Sequence, residues 1–147
     1  MKKSNFLLVS LLVLSQVLIA CGGGGGEPVT TLDVELIEQQ FIPDEFTVPA
    51  GTEITIHLNN TGIRLHEFQI LVLGAKVDES VDTDGNSTMY WVGHARPGES
   101  ETLTFTAPSE PGKYFVKCSV PGHTEAGMVA TLGQYENYVF MDPPLIT

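Results

Sequence analysis

Three side chains that can bind a soft metal ion stand at equal spacing near the C-terminal end of this 147-residue sequence. They are the thiol of Cys118, the imidazole of His123 and the thioether of Met128, each five residues after the one before it. Thiolate and thioether sulfur are soft ligands that favour Cu(I), and imidazole serves both oxidation states of copper. The spacing therefore predicts a copper-binding loop.

Turn-forming residues within this stretch would bring the three groups together. Pro121-Gly122 reverses the chain direction, so His123 can approach Cys118. Gly127 has the conformational freedom to bring Met128 to the same point. We therefore expect one compact loop in place of three separate positions.

A second imidazole would complete the ligand set of blue-copper electron-transfer sites, which is two histidines, one cysteine and a weak axial methionine. The sequence has four histidines, and His66 is the best candidate. It begins a strand-like segment and shares one face with Phe68 and Ile70, so we expect its ring to point toward the core. A buried imidazole is costly without a partner, and a metal ion supplies one.

Alternation of polar and apolar residues predicts the strands that position these groups. Residues 65–73 are more uniformly apolar, which is typical of a strand covered on both faces. Gly- and Pro-containing turns separate the segments, and short strands with such turns indicate a β-sandwich or small barrel. The residues expected to face the core are Leu32, Val34 and Leu36; Ile54, Ile56 and Leu58; Leu103 and Phe105; and Tyr114, Val116 and Cys118.

The order of these motifs resembles a known family. A single upstream His66 precedes the Cys118…His123…Met128 loop, and Pro111-Gly112 followed by Tyr114 stands just before the cysteine. This pattern is similar to that of the cupredoxins, which include plastocyanin, azurin and auracyanin. The Cys-to-His spacing resembles that of azurin and auracyanin, and the His-to-Met spacing resembles that of auracyanin and plastocyanin.

The resemblance implies an all-β, cupredoxin-like Greek-key sandwich or barrel of about seven or eight strands, spanning residues 31–133. It makes His66, Cys118 and His123 the strong equatorial ligands of one copper ion, with Met128 as the axial ligand. All four ligands would come from the protein, which leaves no open position for a substrate and favours electron transfer over catalysis. The implied partners of this non-enzymatic monomer are a cytochrome or a membrane redox complex in a respiratory or photosynthetic chain.

One residue departs from the family pattern. The position after the upstream histidine is usually Asn in plastocyanin and azurin, where its amide ties the two ligand segments together, but here it is Glu67. An ionised carboxylate can accept hydrogen bonds but cannot donate them. We therefore expect the hydrogen bonding around the ligands, and with it the reduction potential, to differ from those proteins.

Other metal sites and other functions can be weighed by counting ligands. A dinuclear purple copper site needs two cysteines in the loop, and multicopper oxidases need His-x-His pairs, neither of which is present. Zinc also binds one cysteine and two histidines, but the thioether partner and the family resemblance argue against zinc as the native metal. Two alternatives to electron transfer stay open, namely a lipoprotein that stores or hands on copper, and a non-metal surface lipoprotein on the same scaffold.

The N-terminus predicts export and membrane anchoring. Residues 1–20 read as a signal peptide, because a positively charged start precedes an apolar run, Phe6 to Ala20, that is too short for a membrane span. Leu18-Ile19-Ala20-Cys21 resembles the lipobox of bacterial lipoproteins, which implies lipidation of Cys21. Residues 21–30, rich in glycine, would form a tether at the outer, periplasmic or extracellular face of the cytoplasmic membrane. Ordinary secretion with a free Cys21 is the alternative.

Charge and the remaining residues set further expectations. The formal net charge of −11 argues against nucleic acid as a partner, because binding a polyphosphate needs clustered Lys and Arg.

Residues 134–147 are too apolar for a solvated tail, and we expect them to pack on the domain as a C-terminal extension. His57 is expected to face solvent as a structural residue, and His94 to be a surface position near Tyr90 and Trp91.

Overall fold

The alternating segments form β-strands in a computed structural model that describes residues 28–80 and 84–135. Within those ranges the chain has nine strands and no helix. The prediction of an all-β fold is therefore confirmed. The strands are β1 (Thr31–Ile37), β2 (Gln40–Ile42), β3 (Glu45–Pro49), β4 (Glu53–Asn60), β5 (His66–Leu71), β6 (Met89–Ala95), β7 (Ser100–Thr106), β8 (Gly112–Lys117) and β9 (Val129–Tyr135).

The strands form two sheets in which several neighbours are far apart along the chain. One sheet has the order β2-β1-β4-β7, and the other has the order β3-β9-β8-β5-β6. The β1–β4 and β3–β9 pairs are parallel, and the other pairs are antiparallel. The chain therefore crosses between the sheets repeatedly, as expected for a Greek-key sandwich.

Both sheets contribute to one hydrophobic core. The inward faces predicted from the alternation are buried, except that Leu103 is only partly buried and packs against the core. β5 lies between β6 and β8, and its residues from Phe68 to Leu71 are all buried, so the prediction of a strand covered on both faces is confirmed there. Phe68 lies edge-on to Phe41 and Phe46, with ring centroids 5.4 and 5.6 Å apart.

Two details differ from the prediction. The described residues contain nine strands where about seven or eight were expected, in part because β2 has only three residues and is too short for its alternation to be recognised. β9 also continues to Tyr135, so it includes the first two residues of the segment expected to be an extension, and Gln134 is buried. The signal peptide, Cys21 and residues 136–147 lie outside the described residues.

None of the described residues forms a helix that is long and apolar enough to cross a membrane.

Candidate metal centre

The topology brings the predicted ligands to one end of a sheet. Gln69 of β5 pairs with Lys117 of β8 in antiparallel register. His66 is the first residue of β5, and Cys118 follows the last residue of β8, so both lie at the same end. The loop that begins at Cys118 carries His123 and the predicted methionine ligand, and then enters β9.

Three potential metal-binding side chains converge in a buried cluster. The ligand atoms of His66, Cys118 and His123 all lie within 4.8 Å of one another. The Sγ atom of Cys118 is 3.4 Å from Nδ1 of His123 and 4.0 Å from Nδ1 of His66. The two imidazole centroids are 4.9 Å apart, and Met128 is fully buried in the same loop. The structure thus brings His66 next to Cys118 and His123, although His66 is far from these two residues in the sequence.

Backbone hydrogen bonds hold the ligand loop in a compact conformation. The N–H of Cys118 donates to the carbonyl of Met128 at 3.1 Å, and the N–H of Met128 donates to the carbonyl of His123 at 2.9 Å. The hydroxyl of Thr124 donates to the carbonyl of Cys118 at 2.6 Å. Gly127 has a φ of 103°, which residues with a Cβ rarely adopt, so the turn into Met128 depends on glycine.

Burial favours the uncharged forms of Cys118 and His66 in the metal-free protein. Desolvation raises the pKa of the Cys118 thiol above its ordinary value of 9.0, although backbone N–H groups of Glu67 and Val120 partly oppose this by stabilising the thiolate. The N–H of Glu67 donates to Sγ at 3.4 Å. Desolvation lowers the pKa of His66 below 6.5, and the nearby His123 acts in the same direction. Metal binding therefore has to displace the thiol proton.

We expect the metal-free domain to be most stable between pH 6.5 and 9.0, the ordinary pKa values of the two groups. The pKa of His66 is lowered on folding, so its contribution is present above pH 6.5 and is lost as the pH falls through the folded pKa. The pKa of Cys118 is raised, so its contribution is present below pH 9.0 and is lost as the pH rises through the folded pKa. Urea unfolding of the metal-free protein at several pH values measures the profile.

Single substitutions show which residue causes the loss of stability at acidic pH and which causes the loss at alkaline pH. Cys118→Ala removes the thiol and should flatten the alkaline decline, while His66→Phe should reduce the acidic decline. An unchanged alkaline decline in Cys118→Ala would contradict the assignment to the thiol.

The second ring nitrogen of His66, Nε2, is buried without a hydrogen-bond partner among the described residues. The Oε1 atom of Glu38 lies 3.9 Å away from it. The same oxygen accepts a hydrogen bond from the N–H of Ile63 at 2.6 Å, and this bond is the main cause that lowers the pKa of the Glu38 carboxyl. Sequence analysis missed Glu38, since an acidic residue in a turn carries no local sign of a role at this centre.

Asn60 anchors the loop that leads into His66. Its Nδ2 atom donates to the carbonyls of Arg64 and Ala95, each at 2.8 Å, and its Oδ1 atom accepts from the N–H of Gly62 at 2.9 Å. The side chain is buried, so these bonds satisfy its polar atoms and define the loop conformation. The sequence does not reveal this anchoring role, because an asparagine close before a glycine indicates only a turn.

Glu67 joins the two ligand segments as an acceptor. The hydroxyl of Ser119, directly after Cys118, donates to Oε2 of Glu67, directly after His66. This arrangement agrees with the prediction that hydrogen bonding at this position differs from that of an asparagine. An ionised carboxylate can only accept hydrogen bonds, whereas an asparagine amide can also donate them. A link between the segments is therefore retained in spite of the departure from the family pattern.

Ser119→Ala should lower the free energy of unfolding by about 1 kcal/mol, since it removes one hydrogen bond that is partly open to solvent. Urea unfolding of the metal-free protein measures this. Glu67→Gln is the matched comparison, because the amide oxygen can still accept from Ser119, and its effect should be smaller. Equal stability of Ser119→Ala and the parent would show that the bond contributes nothing.

The remaining histidines lie away from the cluster. His57 is on the exposed side of β4, and its Nδ1 atom is 2.9 Å from the hydroxyl oxygen of Thr102. His94 is exposed on β6, opposite Glu67. Both histidines of the cluster are buried, with His123 only 2% exposed and His66 not exposed at all.

The donor set of this cluster fits copper. Its three side-chain donors are one sulfur and two imidazole nitrogens, with no carboxylate among them, which is unsuitable for Mg²⁺ or Ca²⁺ and suitable for copper. Both imidazoles face the sulfur with the same ring atom, Nδ1, as convergent ligands would. The cofactor that these residues fit is one copper ion.

Comparison with known proteins agrees with the geometry. A family model described as a cupredoxin-like domain matches residues 7–130. Auracyanin-A of Chloroflexus aurantiacus is 30% identical over 145 residues, which cover 80% of this chain and 88% of that protein. Auracyanin-B of the same organism is 28% identical over 133 residues, which cover 74% of this chain and 56% of that protein. The chain thus spans little more than half the length of auracyanin-B.

Solved structures show the same similarity. Dithionite-reduced auracyanin from Roseiflexus castenholzii is 32% identical, with a TM-score of 0.63 and coverage of 74% of this chain and 99% of that one. Auracyanin A from Chloroflexus aurantiacus, described as a "blue" copper protein, is 25% identical, with a TM-score of 0.57 and coverage of 74% and 100%. Because the family model spans most of its length, the chain belongs to the cupredoxin family.

Proposed function

We propose that this chain is a membrane-anchored blue copper protein that carries single electrons between redox partners. The observation that carries the proposal is the buried convergence of the ligand atoms of His66, Cys118 and His123. Bound copper supplies one-electron chemistry by alternating between Cu(I) and Cu(II). Membership of the cupredoxin family, together with the similarity to auracyanins, supports this function.

Four protein side chains serve as the ligands in this proposal. The thiolate of Cys118 and the imidazoles of His66 and His123 would hold the copper ion as strong ligands, and the thioether of Met128 would be a weak one. The three clustered side chains and Met128 are all buried, which excludes bulk water from the site. With every position filled by the protein, this site leaves no vacancy for a substrate, which suits an electron carrier.

Electrons enter and leave through the His123 side of the site. His123 is 2% exposed, while His66 is completely covered. The exposed Pro121 and Gly122 lie next to it in the loop, with the half-buried Val120 before them. A partner protein that packs on Val120 and Pro121 would come within a short distance of a ligand ring.

The location follows from the N-terminal sequence in this proposal. Acyl chains on Cys21 hold the protein at the outer face of the bacterial cytoplasmic membrane, where a cytochrome or a membrane redox complex is the partner. An auracyanin from a green photosynthetic bacterium is among the similar structures, which is compatible with a photosynthetic or respiratory chain. Fatty-acid labelling of the expressed protein tests the anchor, and Cys21→Ala should abolish the label and release the protein from membranes.

A copper-storage or copper-transfer protein is the competing function. Such a protein has to present its ligands to a recipient, whereas the three clustered residues here are all buried. Burial thus favours a permanently held ion, which is the requirement of an electron carrier.

The deciding experiment uses the full-length protein, purified in detergent and freed of metal. Addition of Cu(II) should produce an intense visible absorption band at one copper per chain, from charge transfer between the Cys118 thiolate and the metal. The band should disappear on reduction and return on reoxidation, with a reversible voltammetric wave. Colourless protein would contradict a blue copper site. A coloured protein without reversible redox behaviour would favour copper storage.

A further inference from the structure

We infer that Glu38 is a positioning residue for the metal centre. Its carboxylate accepts a hydrogen bond from the Nε2–H of His66 when Nδ1 of that ring binds copper, and its negative charge lowers the reduction potential. This inference rests on the proposed copper function, and it adds a residue outside the four ligands.

The strand pairing brings Glu38 to this position. β1 and β4 are parallel neighbours, with Leu36 opposite Asn60, so both strands end at the same place. The turn after β1, which carries Glu38, therefore meets the loop after β4, which leads into His66. The hydrogen bond from the N–H of Ile63 to Oε1 of Glu38, at 2.6 Å, holds the carboxylate against that loop.

The ring of His66 requires an acceptor at Nε2. Its Nδ1 atom faces Sγ of Cys118 at 4.0 Å, so this is the nitrogen that points into the donor cluster. A neutral imidazole that binds a metal through Nδ1 carries its proton on Nε2. That atom is buried and has no hydrogen-bond partner among the described residues. Metal-binding histidines commonly donate this second N–H to a carboxylate, a carbonyl or water.

Glu38 is placed to meet this requirement. Its Oε1 atom is 3.9 Å from Nε2, so a movement of about 1 Å brings the two atoms to hydrogen-bond distance. Gly62 leaves the approach open, because a Cβ at that residue would lie 2.7 Å from Oε1 and 2.9 Å from Nε2. The side chain of Glu38 is 43% exposed, so it can move without disturbing the core.

The charge of Glu38 has a predictable effect on the redox equilibrium. A negative charge beside a ligand ring stabilises the more highly charged Cu(II) state and so lowers the reduction potential. The positive charge of Arg64 lowers the pKa of both the Glu38 carboxyl and His66.

The first experiment measures the reduction potential of the copper-loaded full-length chain after Glu38→Gln. This substitution removes the charge but keeps an oxygen that can accept from Ile63 and His66. We expect the potential to rise. Glu35→Gln is the matched control, because it removes the same charge near the end of β1, three residues before Glu38, where Oε1 of Glu35 accepts from the hydroxyl of Thr61 at 2.8 Å. Its upward shift should be smaller.

The second experiment detects the hydrogen bond itself. In the diamagnetic Cu(I) protein, the Nε2–H proton of His66 can be observed by NMR, and its rate of exchange with solvent can be measured. Glu38→Ala removes the acceptor and should accelerate this exchange, whereas Glu35→Ala should leave it close to that of the parent. This readout does not depend on the charge of the protein as a whole.

The outcomes separate this inference from the proposed function. A larger upward shift for Glu38→Gln than for Glu35→Gln, with faster exchange in Glu38→Ala, supports the positioning role. If the parent protein is blue and reversibly reduced, equal potential shifts for Glu38→Gln and Glu35→Gln, or an unchanged exchange rate in Glu38→Ala, would overturn the role of Glu38. The proposed copper function would then still stand. A parent protein that forms no blue copper site would overturn both.

Discussion

Substitution of Cys118 by serine is expected to abolish the visible absorption band of the copper-loaded protein. The band requires charge transfer from a thiolate, and a hydroxyl is neither soft nor ionised in a buried site. The sulfur lies 3.4 Å from Nδ1 of His123 and accepts a hydrogen bond from the N–H of Glu67, so it is at the centre of the donor cluster. Absorption spectroscopy after addition of Cu(II) measures the loss.

Cys118→Ser should also lower the affinity of the protein for copper. Loss of a residue that merely supports a metal ligand reduces affinity by about 10–100-fold, and loss of the thiolate itself should exceed about 100-fold. Competition with a chelator measures this. Ser119→Ala is the matched control, since it alters the adjacent residue without removing a ligand and should retain the band. A blue Cys118→Ser protein would contradict the assignment of the sulfur as a ligand.

Phe68→Ala should cause a large loss of stability, about 3–5 kcal/mol in the free energy of unfolding. The Phe68 side chain is fully buried on β5, two residues after His66, and lies edge-on to both Phe41 and Phe46. Truncation therefore leaves a cavity and also removes two aromatic contacts. Because native domains are stable by only about 5–15 kcal/mol, this loss is a large fraction of the total.

Urea unfolding of the metal-free protein measures this change without any contribution from bound copper. Phe115→Ala is the matched control, because it removes the same side chain from a position on β8 that is 42% exposed. Its effect should be about 1 kcal/mol or less. Similar losses for the two substitutions would show that the contact between Phe68 and its two aromatic neighbours is not central to the core.

Stability and metal binding are connected through β5. Phe68 packs between the sheets, and His66 lies at the start of the same strand and on the same face. A residue of the hydrophobic core and a predicted metal ligand therefore lie on the same face of one short strand. The order of the strands places this ring beside the loop that carries Cys118 and His123, so the site exists only in the folded domain.

The sequence alone determined the features that depend on neighbouring residues. Cys118, His123 and Met128 lie within one loop, so their spacing and the turn residues between them were sufficient to predict a common site. The faces of the strands followed from an alternation of period two, because successive side chains of a strand point to opposite sides. The choice of His66 followed from such a face, and the structure brings its ring into the cluster.

Only the tertiary structure decided the contacts that surround the ligands. Glu38 meets the loop before His66 because β1 and β4 pair in parallel, and that pairing joins strands that are distant in the sequence. Ser119 reaches Glu67 because β8 lies beside β5. An alternating pattern specifies which side of a strand is buried but not which strand lies next to it, since many pairings bury the same faces. The ligands could therefore be found from local spacing, whereas their surroundings required the order and register of the strands.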